Sequence, residues 1–127
     1  MKKIINTQNA PAPIGPYNQA ILVENTLYIS GQIAIDPKSG ELIQDAITLE
    51  TKQVLDNLKA ILDEAEFTLE DVVKTSIFLS NMDYFATVNE IYAEYFSNGA
   101  APARETVAVS TLPKNVNVEI SAIAVRK

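Results

Sequence analysis

Val116-Asn117-Val118-Glu119-Ile120-Ser121-Ala122-Ile123-Ala124-Val125 alternates with a period of two. Successive side chains of a strand point to opposite faces. Val116, Val118, Ile120, Ala122 and Ala124 therefore line one face, and Asn117, Glu119, Ser121, Ile123 and Val125 the other. The first set is wholly apolar and belongs to a core. The second set is too apolar for full solvation, yet a carboxylate interrupts it. Either a subunit partner covers that face or the strand end packs locally. A partner is the reading adopted here.

Working outward, Leu112-Pro113-Lys114-Asn115 joins this strand to another at Arg104–Ser110. Before it, a helix capped by Asn81 or Asp83 runs to about Asn98, with Phe85, Val88, Tyr92, Tyr95 and Phe96 as its stripe and Gly99 as its stop. Val72–Leu79 is β-branched and apolar enough for a buried strand. Thr68-Leu69-Glu70-Asp71 resembles a capping signal. Between Ala46 and Ala65, Val54, Leu58, Ile61, Leu62 and Ala65 recur at helical spacing. Asn18–Val23 and Thr26–Ser30 read as a hairpin turning at Glu24-Asn25, where Asn tolerates positive φ. Asp36-Pro37-Lys38-Ser39-Gly40 is a turn. Residues 7–16 hold three prolines and a glycine, which suits an ordered arm but not a helix or central strand.

The order is thus β-β-α-β-α-β-β, an α+β arrangement in one domain spanning residues 1–127. Two helices cover only one face of such a mixed β-sheet, which leaves the half-apolar second face to another partner.

Composition narrows the chemistry. The chain has 127 residues, enough for one core, with 47% apolar and 20% charged residues. Cysteine and histidine are both absent. That excludes disulfides, thiolate nucleophiles, Ser-His-Asp catalysis and His- or Cys-ligated metals. Acid–base work near pH 7 falls to carboxylates, Lys, Tyr, backbone groups or water. The net charge is −6, and no dense Lys/Arg cluster offers a footprint for phosphates. No apolar run approaches the roughly 18 residues of a membrane span. The start of the chain lacks a signal peptide's apolar stretch, so a cytoplasmic location is expected.

Arg104 and Glu119 are the candidates for chemistry. Arg104 follows Ala100-Ala101-Pro102-Ala103, where a rigid loop enters a strand. Its guanidinium can hold a carboxylate through two parallel hydrogen bonds, or it is one half of a structural ion pair. Glu119 sits mid-strand, where charge is uncommon. It either holds and polarises a water or forms a salt bridge, Arg104 being one available partner. Tyr17 follows the Ile14-Gly15-Pro16 turn and presents a ring to a pocket or anchors the arm. Ser30-Gly31 ends a strand, where glycine permits close approach by a ligand or marks a bulge. Asn89 borders the stripe of the second helix, as a boundary amide or a ligand contact. Tyr92, Tyr95 and Phe96 read as core. Taken alone, these residues support an α+β domain with an anion site.

Their order along the chain supports more. Ile14-Gly15-Pro16-Tyr17-Asn18-Gln19-Ala20 resembles the N-terminal motif of the YjgF/RidA family. Tyr28-Ile29-Ser30-Gly31-Gln32-Ile33 resembles its second strand. Pro102-Ala103-Arg104, Leu112-Pro113-Lys114 and Val118–Val125 resemble its C-terminal signature, and Val73-Lys74-Thr75 and Phe85-Ala86-Thr87-Val88-Asn89 match as well. The resemblance implies a chorismate-mutase-like fold assembled as a homotrimer, with active sites in clefts between subunits and no cofactor, nucleic acid or membrane involved. It implies hydrolysis of 2-iminobutanoate and 2-iminopropanoate to 2-keto acids and ammonia. Carried over by position, Arg104 holds the substrate carboxylate and Glu119 activates water. Tyr17, Ser30, Gly31 and Asn89 line the cleft, and Thr106 lies near the imine nitrogen. Two departures stand out: many members carry Cys at the position of Thr106, and many carry an aromatic residue at that of Ala101. Glu105 beside Arg104 is also unusual. It points to the opposite face and does not neutralise the site.

A non-enzymatic binder of small carboxylates such as 2-keto acids is the main alternative. Glu119 argues against it, because a carboxylate receptor gains nothing from an acid beside its ligand. A mutase by fold analogy, an endoribonuclease and a chaperone-like role rank below it.

Overall fold

A computed structural model describes residues 1–97 and 99–127. The strands are β1 (Lys2–Ile5), β2 (Ala20–Val23), β3 (Thr26–Gln32), β4 (Val72–Leu79), β5 (Ala103–Ala108) and β6 (Val118–Val125); the helices are α1 (Ile47–Glu64) and α2 (Phe85–Tyr95). They form one mixed sheet in the order β1-β2-β3-β6-β4-β5, in which only the β4–β5 pair is parallel.

The alternation of β6 is realised residue by residue: Val118, Ile120, Ala122 and Ala124 are buried, while Glu119, Ser121, Ile123 and Val125 are half-buried. The buried row meets the stripe of α1, where Val54, Leu55, Leu58, Ile61 and Leu62 are fully buried. Truncating any of these leucines or isoleucines to Ala costs about 2–5 kcal/mol. Thr68 and Asp71 form the capping box that their spacing predicts, ahead of a short 3-10 turn. Asn81 Oδ1 accepts from the Asp83 N–H at 2.8 Å and caps the turn that leads into α2. No described helix is long and apolar enough to cross a membrane.

Besides shifts of one or two residues at the ends of β2, β3 and β5, four details differ from the sequence reading. The strand β1 was not expected. It is four residues long, carries two lysines and pairs only with β2 at the sheet edge, so it has neither the length nor the alternation that reveals a strand. In the β2–β3 turn the left-handed residue is Glu24 (φ 53), not Asn25. The second helix begins three residues later than a cap at Asn81 suggests and ends at Tyr95, where Phe96 turns into the core; Asn98 lies outside the described residues. The turn before β6 holds Lys114 and Asn115 in the left-handed region (φ 55 and 56), which shortens that strand to Val118–Val125.

Both helices pack on one face. Across the other runs an apolar row in register, Ile4–Ile21–Tyr28–Ile123, over β1, β2, β3 and β6. Ile4 is 50% exposed and Tyr28 49%. A second row on this open face is Glu119–Phe78–Val107.

Candidate active site

Glu119 projects from β6 on the open face, opposite Phe78 of β4. On its β3 side the ladder is interrupted: the register shifts between Ile29 and Gln32, and Gly31 lies in that irregularity. A Cβ at Gly31 would fall 2.8 Å from Glu119 Cδ and 3.0 Å from Oε2. Of the two readings of this glycine, the break in the strand ladder is present, and the space over it holds the Glu119 carboxyl. Glu119 and Gly31 line a cavity whose other wall is the proline-rich arm, with Pro11, Pro13, Ile14 and Tyr17. Burial alone pushes the Glu119 carboxyl above its ordinary value. Neither ion pair among the described residues, Lys59–Asp63 or Lys74–Glu105, involves it, so the salt bridge to Arg104 is not formed.

Prolines cannot build a ladder, and Gln19 supplies one to the arm instead. Its buried amide accepts from the Thr7 N–H at 2.7 Å and donates to the carbonyls of Thr7, Ala10 and Pro11 at 3.0, 3.2 and 2.9 Å. Tyr17 folds back on its own turn, its hydroxyl accepting from the Ile14 N–H at 3.3 Å. The Ser30 hydroxyl donates to the Asn18 carbonyl at 2.7 Å, so it fastens the arm to β3 and does not line the cavity.

Arg104 lies elsewhere. Its register partner Thr75 faces the helices, fully buried and hydrogen-bonded to Tyr92 at 2.7 Å. The guanidinium carbon of Arg104 stands 4.9 Å from the centroid of the Tyr92 ring and 5.7 Å from that of Phe85. Stacking against rings leaves the guanidinium edge free to fork a carboxylate. Asn89 lies between Phe85 and Tyr92 on the same face of α2, at i+4 from the first and i−3 from the second. Thr106, two residues beyond Arg104, points the same way, and its buried hydroxyl has no partner among the described residues. Burial raises the Tyr92 hydroxyl above its ordinary value, against the pull of Thr75 and Arg104, so the ring stays neutral. Glu105 points to the open face, as its neighbour position requires, where it pairs with Lys74 at 3.0 Å and accepts from the Ser76 hydroxyl.

The candidates therefore fall into two groups on opposite faces of one sheet. Arg104, Thr106 and Asn89 share the helix side, at the β5 edge. Glu119, Gly31 and Tyr17 share the open face. Within one chain, no small molecule reaches both.

The comparisons with known proteins agree with the motifs. The family described as Endoribonuclease L-PSP matches residues 7–126. The chain belongs to the YjgF/RidA family. A RutC family protein of Pyrococcus horikoshii is 54% identical over 127 residues, covering all of both chains. The mouse 2-iminobutanoate/2-iminopropanoate deaminase is 49% identical over 126 residues, 99% of this chain and 93% of its own. The crystal structure of the Escherichia coli YjgF gene product superposes with a TM-score of 0.92 at 46% identity, covering 98% of this chain and 99% of that one.

The family motifs divide between the two groups. The YjgF/RidA N-terminal motif and second strand build the Glu119 cavity, whereas Pro102-Ala103-Arg104 and Phe85–Asn89 build the arginine seat. Two residues of the seat and arm escaped the sequence reading. Tyr92 reads as core because it sits on an apolar stripe, and it is core; its ring also supports Arg104. Gln19 lies inside a family motif, but only the number of carbonyls converging on its amide reveals its role.

Proposed function

We propose that this chain is a deaminase that hydrolyses small 2-imino acids, 2-iminobutanoate and 2-iminopropanoate among them, to 2-keto acids and ammonia. We further propose that it works as a cytoplasmic homotrimer with each site shared between two subunits. The carrying observation is the partly desolvated carboxyl of Glu119, unpaired among the described residues, in a cavity on the face away from both helices. The printed name of the mouse relative supports the reaction. The partly exposed row Ile4–Ile21–Tyr28–Ile123 supports a subunit partner on that face, and the separation of Arg104 from Glu119 supports a site completed across the boundary.

In this reading Arg104 grips the substrate carboxylate by two N–H···O bonds, with about 4 kcal/mol of gross Coulomb attraction at an effective dielectric near 20. Glu119 of the neighbouring subunit takes a proton from water as the water oxygen bonds to C2 of the protonated imine and the C=N electron pair moves onto nitrogen. The product is a neutral carbinolamine. Glu119 returns its proton to that nitrogen, giving –NH3+; the C–N bond breaks with its electron pair leaving on ammonia, and the hydroxyl proton passes to the Glu119 carboxylate, and from it to solvent, as the keto group forms. Thr106 and Asn89 face the nitrogen and carboxylate side; Tyr17 and Gly31 border the water side, and Ser30 holds the chain beside them. Imines already hydrolyse in water, and each tenfold acceleration needs only about 1.4 kcal/mol, so positioning by one Arg and one Glu suffices.

The test generates imines in place with an amino-acid oxidase acting on alanine, leucine or methionine, and traps what remains with semicarbazide. The wild-type protein is expected to suppress the trapped product and Arg104→Ala is not. If neither protein does so with any imine, the enzyme reading falls and small-carboxylate binding replaces it.

A further inference from the structure

Glu50 is a charged residue that the proposed chemistry does not use. It sits in the first turn of α1 and is 0% exposed. Carboxylates buried so completely need partners, and none of the ion pairs among the described residues includes Glu50. Its partners are three N–H groups of one short segment. Oε2 accepts from the backbone N–H of Asn117 at 2.7 Å and of Val118 at 3.0 Å, and Oε1 accepts from Asn117 Nδ2 at 3.0 Å. Asn117 is held from the other side as well. Its Oδ1 accepts from the Ser80 hydroxyl at 2.8 Å and its carbonyl from the Ser80 N–H at 3.0 Å, at the end of β4. Glu50 and Ser80 thus clamp the residue two places before Glu119.

That clamp sits at the start of the strand, where the ladder to β3 is interrupted while that to β4 is regular. The chain arrives through Lys114 and Asn115, both left-handed, a turn that costs conformational energy and sets no register. On the β3 side the ladder skips from Ile29 to Gln32, so Glu119 has no regular partner there. Its β4 partner is Phe78. The carboxyl itself has little room, since the missing Cβ of Gly31 is what admits it. A shift at the start of β6 therefore moves the carboxyl within that limited space. Around it stand Gly31 from β3, Phe78 from β4, Tyr17 from the arm and Pro113 from the turn; burial is the only influence on its acidity, so no charged group among the described residues sets it.

We propose that Glu50 is a positioning residue: its buried carboxylate, bonded to Asn117 and Val118, fixes the start of β6 and through it the seat of the Glu119 carboxyl. The inference rests on the deaminase reading for its catalytic consequence, but not for its geometric one.

Two variants of the full chain test it. Glu50→Gln keeps the shape, yet whichever way the amide is turned, an N–H donor faces an N–H donor of Asn117 or of the backbone. In Glu50→Gln/Asn117→Asp the polarity is exchanged: the new amide donates to the new carboxylate, its oxygen accepts from both backbone N–H groups, and Ser80 keeps its acceptor. Glu50→Gln is expected to lower kcat about ten- to hundredfold, while KM and pyruvate affinity, which report on Arg104, stay within about twofold. The Glu119 carboxyl, followed by carbon-13 NMR and assigned against Glu119→Gln, is expected to titrate nearer the ordinary carboxylate range in Glu50→Gln. The exchanged pair is expected to restore both kcat and titration. Unchanged kcat and Glu119 titration in a folded Glu50→Gln overturn the proposal. So does an exchanged pair that recovers the melting temperature but neither readout. If wild type hydrolyses no imine, the deaminase reading falls and the Glu119 titration alone decides the positioning role.

Discussion

The Arg104 seat and the Glu119 cavity lie in the same sheet and are built on opposite principles. Arg104 stands at an edge strand, its guanidinium laid on two aromatic rings. Glu119 stands in an inner strand between β3 and β4, half-buried and, among the described residues, without a charged or hydrogen-bonding partner. One region is made to hold a fixed charge in a fixed direction; the other keeps a proton acceptor available. Side-chain alternation puts them on different faces, so the fold of a single chain separates the group that would bind from the group that would react.

Substitutions can break that contrast or sharpen it. The largest effects belong to the two charged groups, and they should differ in kind. Glu119→Gln is expected to lower kcat about 10²–10⁴-fold, the usual range for a lost acid–base group, with pyruvate affinity nearly intact. Arg104→Ala is expected to abolish measurable pyruvate binding in calorimetry and to lower kcat/KM about 10²-fold or more. If both changes moved kcat and pyruvate affinity alike, the two regions would not be the separate devices described.

Tyr92→Leu tests the aromatic bed. It removes the ring beneath Arg104 and the bond to Thr75, and roughly a tenfold loss of affinity for pyruvate is expected, with kcat changed less. Gly31→Ala tests the other region. The added methyl meets the far end of the Glu119 side chain, so the carboxyl is displaced without unfolding the sheet. A several-fold fall in kcat is expected at unchanged pyruvate affinity and a nearly unchanged melting temperature.

The smallest effect is on stability. Burial raises the Glu119 carboxyl in the folded chain, so between the unfolded and folded values the folded state binds more protons and stability falls as pH rises. Glu119→Gln removes that cost. It is expected to raise the melting temperature by about 1–3 °C at pH 7, and the gain should vanish below the ordinary carboxylate range. Solvent access to this half-exposed group keeps the effect small. A drop in melting temperature at pH 7 would show instead that the carboxylate has a stabilising partner.

How far the sequence reveals this molecule depends on how local the signal is. The faces of β6 are legible because strand periodicity and burial coincide over eight residues. The stripe of α1 is legible for the same reason, but Glu50, in the same helix, is not: its partners lie 67 and 68 residues away. Arg104 and Glu119 stand out as charges in apolar company. That they face apart follows only from the parallel register of β5 on β4 and the antiparallel register of β6, which no single strand discloses. Gly31 advertises a gap in the sequence without naming its occupant. Tyr92 is hidden because a ring that seats an arginine has the spacing of one that fills a core. The edge strand β1 is simply too short for any period to emerge.

The most direct test of the shared site is complementation. Arg104→Ala and Glu119→Gln, each inactive alone, would be unfolded together in equal amounts, refolded and assayed for imine hydrolysis. In a closed ring of subunits, each site takes Arg104 from one chain and Glu119 from its neighbour, so about a quarter of the sites in a random mixture carry both native residues. Recovery of about a quarter of wild-type activity is expected. Mixed assemblies that form, as native mass spectrometry would show, yet stay as inactive as either variant would contradict it.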